Sequence, residues 1–228
     1  MMSIQWATTL DWTPVFNNPH LDRLPPDDQG LCRGLETVLF PGTVVKRIEN
    51  IAPVAMQIET EEYPYEGSFY VNVHFLKPSE EQPSTRLRIL PPLEVFLSRL
   101  DQLKGVRYTW GGCCPEGGLD CSGLIRYATD GITPHKTSAL IRFGTAVAIE
   151  NLPWEKQLKS GDLIVWVGHV VAVLDAQRAI ESTPKQGVVT TPLKERMEHI
   201  LQERRPLNEW PSSRPEQPSF VVRRFIPD

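Results

Sequence analysis

Gly118-Leu119-Asp120-Cys121-Ser122-Gly123-Leu124-Ile125 places a cysteine where a glycine-rich turn becomes an apolar helix. Downstream, Gly168-His169-Val170-Val171 opens an apolar strand with a histidine. The thiolate is the nucleophilic form of cysteine, and a helix N-terminus and a nearby imidazolium both favour it. A helix-borne cysteine and a strand-borne histidine are therefore what a thiol nucleophile and its base require. The pattern points to a cysteine hydrolase. Asp120 is placed to cap the helix, which should run from Cys121 to about Thr129 with Leu124, Ile125 and Ala128 on its buried side.

Around this segment the chain reads as helices followed by strands. Leu93, Phe96, Leu97, Leu100 and Leu103 recur at helical spacing after Pro91-Pro92. A weaker helix is expected over 138–148. From Gly161 onward, strands are expected at 163–166, 169–174, 179–182, 187–191 and 220–225, with an exposed, charged helix over 194–205. Helices first and an antiparallel sheet after them describe an α+β domain. Within it, a hairpin with an odd loop centred on Asp175 would set His169 directly opposite Glu181, Cβ atoms about 5 Å apart. A four-residue loop at 175–178 would put them on opposite faces. In the odd-loop arrangement Cys121 is the nucleophile and His169 the base that later protonates the leaving amine. Glu181 accepts the second ring N–H, the ring holds Cys121 as thiolate, and the Cys121 backbone N–H serves a developing oxyanion. Singly, a helix cysteine, a strand histidine and a turn-proximal glutamate are more often structural.

Upstream the reading changes. Residues 1–30 look irregular and proline-rich. Short β segments at 43–48, 54–59 and 68–75, separated by Pro41-Gly42 and Glu66-Gly67, suggest a small all-β barrel of SH3 type. Lys77 to Ser84 has linker composition. The expected division is a barrel domain over 1–76, a linker over 77–92 and the α+β domain over 93–228. The 228 residues are 40% hydrophobic and carry a net charge of −4, which argues against a dedicated nucleic-acid surface. No stretch approaches the ~18 apolar residues of a membrane span, and the N-terminal residues lack a secretory pattern; a cytoplasmic location is the expectation. The four cysteines are unevenly spaced and suggest no disulfide framework. A metal site from Cys113, Cys114, Cys121 and His169 would lack the usual CxxC pair; neither metal nor cofactor is expected.

Tyr108-Thr109-Trp110-Gly111-Gly112, Leu119-Asp120-Cys121-Ser122-Gly123-Leu124, Leu158-Lys159-Ser160-Gly161-Asp162-Leu163-Ile164 and His169-Val170 together resemble the NlpC family of bacterial cell-wall cysteine endopeptidases. The likeness covers roughly residues 93–192. It implies a papain-like fold, often preceded by a bacterial SH3-like domain. It implies Cys121 as nucleophile and His169 as base, with Glu181 at a third position where His, Asn or Gln is commoner. Tyr108 falls beside the oxyanion site. Asp120 and Ser122 match positions that hold the free amino group of an N-terminal L-alanine. Pro134-His135-Lys136-Thr137-Ser138 resembles a Pro-Arg-Thr-Ser segment, making Ser138 a substrate contact. Trp110, Trp154 and Trp166 are candidates to line the cleft, and Glu61, Glu62, Tyr63 and Tyr65 exposed candidates to cap it. The implied reaction is cleavage of the γ-D-glutamyl–diamino acid (diaminopimelate) bond in peptidoglycan stem peptides, on short muropeptides with a free N-terminal L-Ala. Acyl transfer from the same thioester, or non-catalytic wall binding through the barrel, are the alternatives.

Overall fold

The computed structural model describes residues 5–28, 30–85 and 87–226. The chain divides into two compact units, Met1–Arg88 with Thr109–Gly118, and Ile89–Tyr108 with Leu119–Asp228. Among the described residues no helix is long and apolar enough to cross a membrane.

The first unit is a single antiparallel sheet. Its strands are β1 (Trp6–Thr9), β2 (Thr13–Phe16), β3 (Leu35–Leu39), β4 (Val44–Asn50), β5 (Ala55–Glu59), β6 (Phe69–Asn72) and β7 (Leu76–Ser79). They pair in the order β3-β2-β6-β5-β4-β1-β7. Alternate residues point inward, so Ala7, Val15, Leu39, Val45, Met56, Ile58, Val71 and Leu76 share one core. This all-β unit is consistent with an SH3-like domain. Two strands occupy the stretch read as irregular. β1 and β2 span four residues each, too short for periodicity to reveal, and are held by their neighbours: β1 lies between β4 and β7. β7 also takes the first residues of the segment read as linker. His74 sits in a one-turn 3-10 helix over Val73–Phe75 rather than in a strand. Tyr63 is buried, not exposed, and its hydroxyl donates to Glu36 Oε2 at 2.9 Å.

The second unit begins with α1 (Leu93–Gln102). The segment Thr109–Gly118, which belongs to the first unit, carries β8 (Cys113–Cys114) and the start of β9 (Gly118–Leu119). In the second unit α2 (Cys121–Ala128) and α3 (Thr137–Leu140) follow. β10 (Thr145–Val147) and α4 (Trp154–Gln157) precede the main strands β11 (Leu163–Trp166), β12 (His169–Val173), β13 (Arg178–Thr183) and β14 (Gly187–Pro192). α5 (Leu193–Glu203), β15 (Arg205–Leu207) and β16 (Ser219–Arg224) complete it. The sheet order is β10-β16-β11-β12-β13-β14, with β15 parallel to β16.

This sheet is buried on both faces, which is why Leu163-Ile164-Val165-Trp166 and Val170-Val171-Ala172-Val173 are continuous apolar runs instead of alternating ones. Leu163, Val165, Val170, Ala172, Ile180 and Val221 cluster with Phe96 and Leu100 of α1 and Leu124, Ile125 and Ala128 of α2. Ile164, Trp166, Val171, Val173, Ala179, Phe220 and Val222 cluster instead with Leu193, Met197 and Ile200 of α5. The helix expected over 138–148 is a single turn. Gly144 adopts φ 74°, a conformation that ends helices, and the β-branched Thr145 and Val147 pair with β16. Nor is the charged helix wholly exposed: α5 buries Leu193, Met197 and Ile200.

Candidate active site

Asp120 and Cys121 meet at the start of α2. Asp120 is extended (φ −81°, ψ −179°) and its side chain caps the helix, Oδ1 accepting from the Gly123 N–H at 2.6 Å. Ser122 Oγ lies 2.9 Å from the same oxygen and 3.3 Å from the His135 carbonyl. His135, fully buried at its side chain, brings Nε2 within 3.3 Å of Asp120 Oδ1. Burial alone would raise the Asp120 pKa, but His135, the Gly123 N–H and Ser122 outweigh it and hold the carboxyl below its ordinary value. A buried anion thus stands directly beside the cysteine.

Cys121 is 7% exposed. Its Sγ rests against the backbone on both sides of His169: the Gly168 carbonyl lies 4.0 Å away, and the Val170 N–H points to the sulfur, as do the N–H groups of Ser122 and Cys121 itself. These N–H groups favour the thiolate. Burial and the Asp120 charge oppose them and prevail, pushing the thiol well above its ordinary range. Burial and the Asp120 charge thus favour the protonated sulfur, against the standing thiolate that was expected. Among the described residues no hydrogen bond joins Sγ to the His169 ring.

His169 and Glu181 are brought together on the α5 side of the sheet. Ala172 pairs with Ile180 and Val173 with Ala179, so the hairpin centres on Ala176 rather than on Asp175. The loop is odd, as the shared face requires, but the two residues are diagonal neighbours instead of direct opposites. The long glutamate side chain closes the gap, and His169 Nε2 lies 2.6 Å from Glu181 Oε2. Ser182, the next residue, donates from Oγ to the Leu119 carbonyl at 2.6 Å and so ties β13 to the segment that delivers Cys121.

Sequence reading missed Arg196. From α5 it clamps Glu181 with two bonds, Nε to Oε1 at 2.6 Å and Nη2 to Oε2 at 2.8 Å. Glu181 is 3% exposed. Burial would raise its pKa, yet the hydrogen bonds and charges of His169 and Arg196 keep it below the usual carboxylate range. An ionised carboxylate only accepts, so Nε2 carries the proton of the neutral ring and Nδ1 is left as the basic nitrogen. The Trp166 ring lies 5.2 Å from the His169 ring, so this tryptophan is both a core residue and a wall of the site.

The other expected contacts divide. Tyr108 is half-buried and follows Arg107, whose carbonyl accepts from the Leu119 N–H at 3.0 Å, two residues before Cys121. Ser138 is exposed in α3. Its neighbour Thr137 makes the connection to the site, Oγ1 accepting from the Gly168 N–H at 2.9 Å.

A cysteine at the head of a helix packed on an antiparallel sheet, with a strand histidine oriented by a carboxylate, defines a papain-like arrangement. Residues 105–204 match the model of the NlpC/P60 family. Among curated proteins it is similar to Probable endopeptidase YafL of Escherichia coli, 34% identical over 86 residues, 36% of this chain and 33% of that protein. It is similar to Murein DD-endopeptidase MepH of the same organism, 31% identical over 83 residues, 35% of this chain and 29% of that one. Gamma-DL-glutamyl hydrolase of Bacillus subtilis is 30% identical over 110 residues, 43% and 25% of the two chains. The matches thus span a third or less of these relatives. A crystal structure of an NlpC/P60 family protein from Bacillus cereus aligns with 99% of this chain and 65% of its own at 18% identity and a TM-score of 0.43.

Proposed function

We propose that the protein is a cysteine endopeptidase of peptidoglycan stem peptides, cleaving the γ-D-glutamyl–diamino acid bond of short muropeptides with a free N-terminal L-alanine. The carrying observation is the His169–Glu181–Arg196 array beside Cys121 inside an NlpC/P60 domain. The names of the relatives support an endopeptidase, and one of them names a γ-glutamyl bond.

In this reading each group has a step. Because the resting sulfur is a thiol, proton removal belongs to the attack itself: His169 Nδ1 takes the Sγ proton as sulfur adds to the scissile carbonyl. Substrate in the groove brings ring and sulfur into line. Carbonyl oxygen becomes oxyanion, and the Cys121 N–H is the donor at hand. Glu181 stabilises the imidazolium through Nε2–H, and the ring returns the proton to the departing amine. Water, deprotonated by the same ring, then releases the acyl group from sulfur. Asp120 supplies the negative charge beside which a substrate ammonium is stable, and Ser122 the adjoining hydroxyl.

The test is a mass-spectrometric digest of L-Ala-γ-D-Glu-diaminopimelate and its N-acetylated form. Cleavage between glutamate and diaminopimelate, lost in C121A and H169A and strongly favoured by the free amine, is expected. Cleavage at another bond, or turnover by C121A, overturns the reading. Equal cleavage of both forms removes Asp120 and Ser122 as readers of the amine.

A further inference from the structure

A cavity of about 750 Å³ opens beside the catalytic array, lined by Trp166, Val167, Arg204, Trp210, Arg214 and Glu216, among others. Trp166 belongs to both places, since one ring meets His169 at 5.2 Å and the cavity as well. The Arg204 guanidinium lies over this ring at 4.7 Å. It follows directly on α5, and its Nε is buried with no hydrogen-bond partner among the described residues. No carboxylate of the described residues pairs with it. Arg196 on the same helix, by contrast, is paired with Glu181 through Nε and Nη2. Two arginines face one glutamate in the lining, so the cavity is net positive and rich in donors.

The chemistry of the ring decides which part of a substrate reaches this cavity. His169 must hand its proton to the departing nitrogen, so the residue bearing that nitrogen lies on the imidazole side, where Trp166 and the cavity begin. A guanidinium that lies over an indole and has no carboxylate partner keeps N–H groups for an incoming carboxylate, which it binds in a charge-assisted fork.

We infer that this cavity is the leaving-group subsite and that Arg204 receives a side-chain carboxylate of the departing diamino acid. This rests on the reaction proposed above and deepens it. Diaminopimelate carries such a carboxylate where lysine has only hydrogen, so the subsite selects the dicarboxylic diamino acid.

Three tetrapeptides test this: L-Ala-γ-D-Glu-X-D-Ala with X as meso-diaminopimelate, its side-chain amide, or L-lysine. In wild type kcat/KM should favour the free carboxylate over both others by about tenfold or more, the scale of one charge-assisted hydrogen bond. In R204Q the ratio should fall to near one, mainly through KM on the diaminopimelate peptide. Equal rates on all three in wild type, or a loss in R204Q that is uniform across them, overturns the inference. The same peptides titrated calorimetrically onto C121A separate the two readings. If wild type cleaves none of them, the proposed reaction fails. The subsite then stands if the diaminopimelate peptide still binds about tenfold tighter and R204Q erases the difference, and falls if it does not.

Discussion

Glu181 has three donors within hydrogen-bonding distance and almost no water, and its charge is shared. Arg196 and His169 share the carboxylate, and the arginine fixes it where it can orient the ring. Replacing Arg196 by Gln removes a charged donor pair from Glu181 and should lower kcat/KM by about tenfold, the scale of one charge-assisted hydrogen bond. Wild-type kinetics in R196Q would show that the arginine does not position the array. E181A should lower kcat/KM by about 10–100-fold, in line with a lost charged hydrogen bond; wild-type kinetics in that variant and in E181Q would remove Glu181 from the mechanism. Cys121, His169 and Glu181 were legible because chemistry needs those residue types and flanking glycines mark their turns. Arg196 was obscured by its charged neighbours, although Leu193, Arg196, Met197 and Ile200 stand at i, i+3, i+4 and i+7, a spacing that puts the arginine on the sheet-facing side.

Two turns set where these side chains meet. Asp175 Oδ1 accepts from the N–H groups of Gln177 and Arg178 at 2.9 Å each, and Leu174 N–H bonds the Arg178 carbonyl. Such an Asx turn favours a three-residue loop, and that shifts the centre one residue beyond the expected position. The parity of the hairpin was readable from the need for a shared face; its exact centre depended on a side-chain bond that sequence does not announce. Between β11 and β12, Gly168 adopts φ 107° with nothing within 4 Å of where a Cβ would stand. Space is free but the backbone is not, so G168A should cost about 1–3 kcal/mol. Its carbonyl and N–H contact Cys121 and Thr137. The activity loss should therefore exceed what the shift in Tm accounts for, and a fall in Tm with unchanged kcat would show that the turn does not position the site.

Across the molecule, the two faces of the second sheet serve different ends: one seats α2 and Cys121, the other α5 and the Glu181–Arg196 pair. The α+β order was visible from periodicity, whereas burial on both faces was visible only as apolar runs too long for a half-exposed sheet. Glu181 and Asp120 both hold pKa values below their ordinary 4.5 and 3.8. Depressed carboxylates stabilise the fold above those ordinary values, and the stabilisation disappears as pH falls through the folded-state values. Tm should therefore hold steady from neutrality to about pH 5 and drop below about pH 4, less steeply in E181Q; a slope identical to wild type in that variant would exclude Glu181 as a contributor. Finally, three of the four cysteines are buried, Cys32 is only partly exposed, and the one beside the histidine rests as a neutral thiol. Such sulfur is a poor target for aerial oxidation or alkylating reagents. The idle protein should keep its full titre of active molecules in air without added reductant and lose activity only slowly to iodoacetamide.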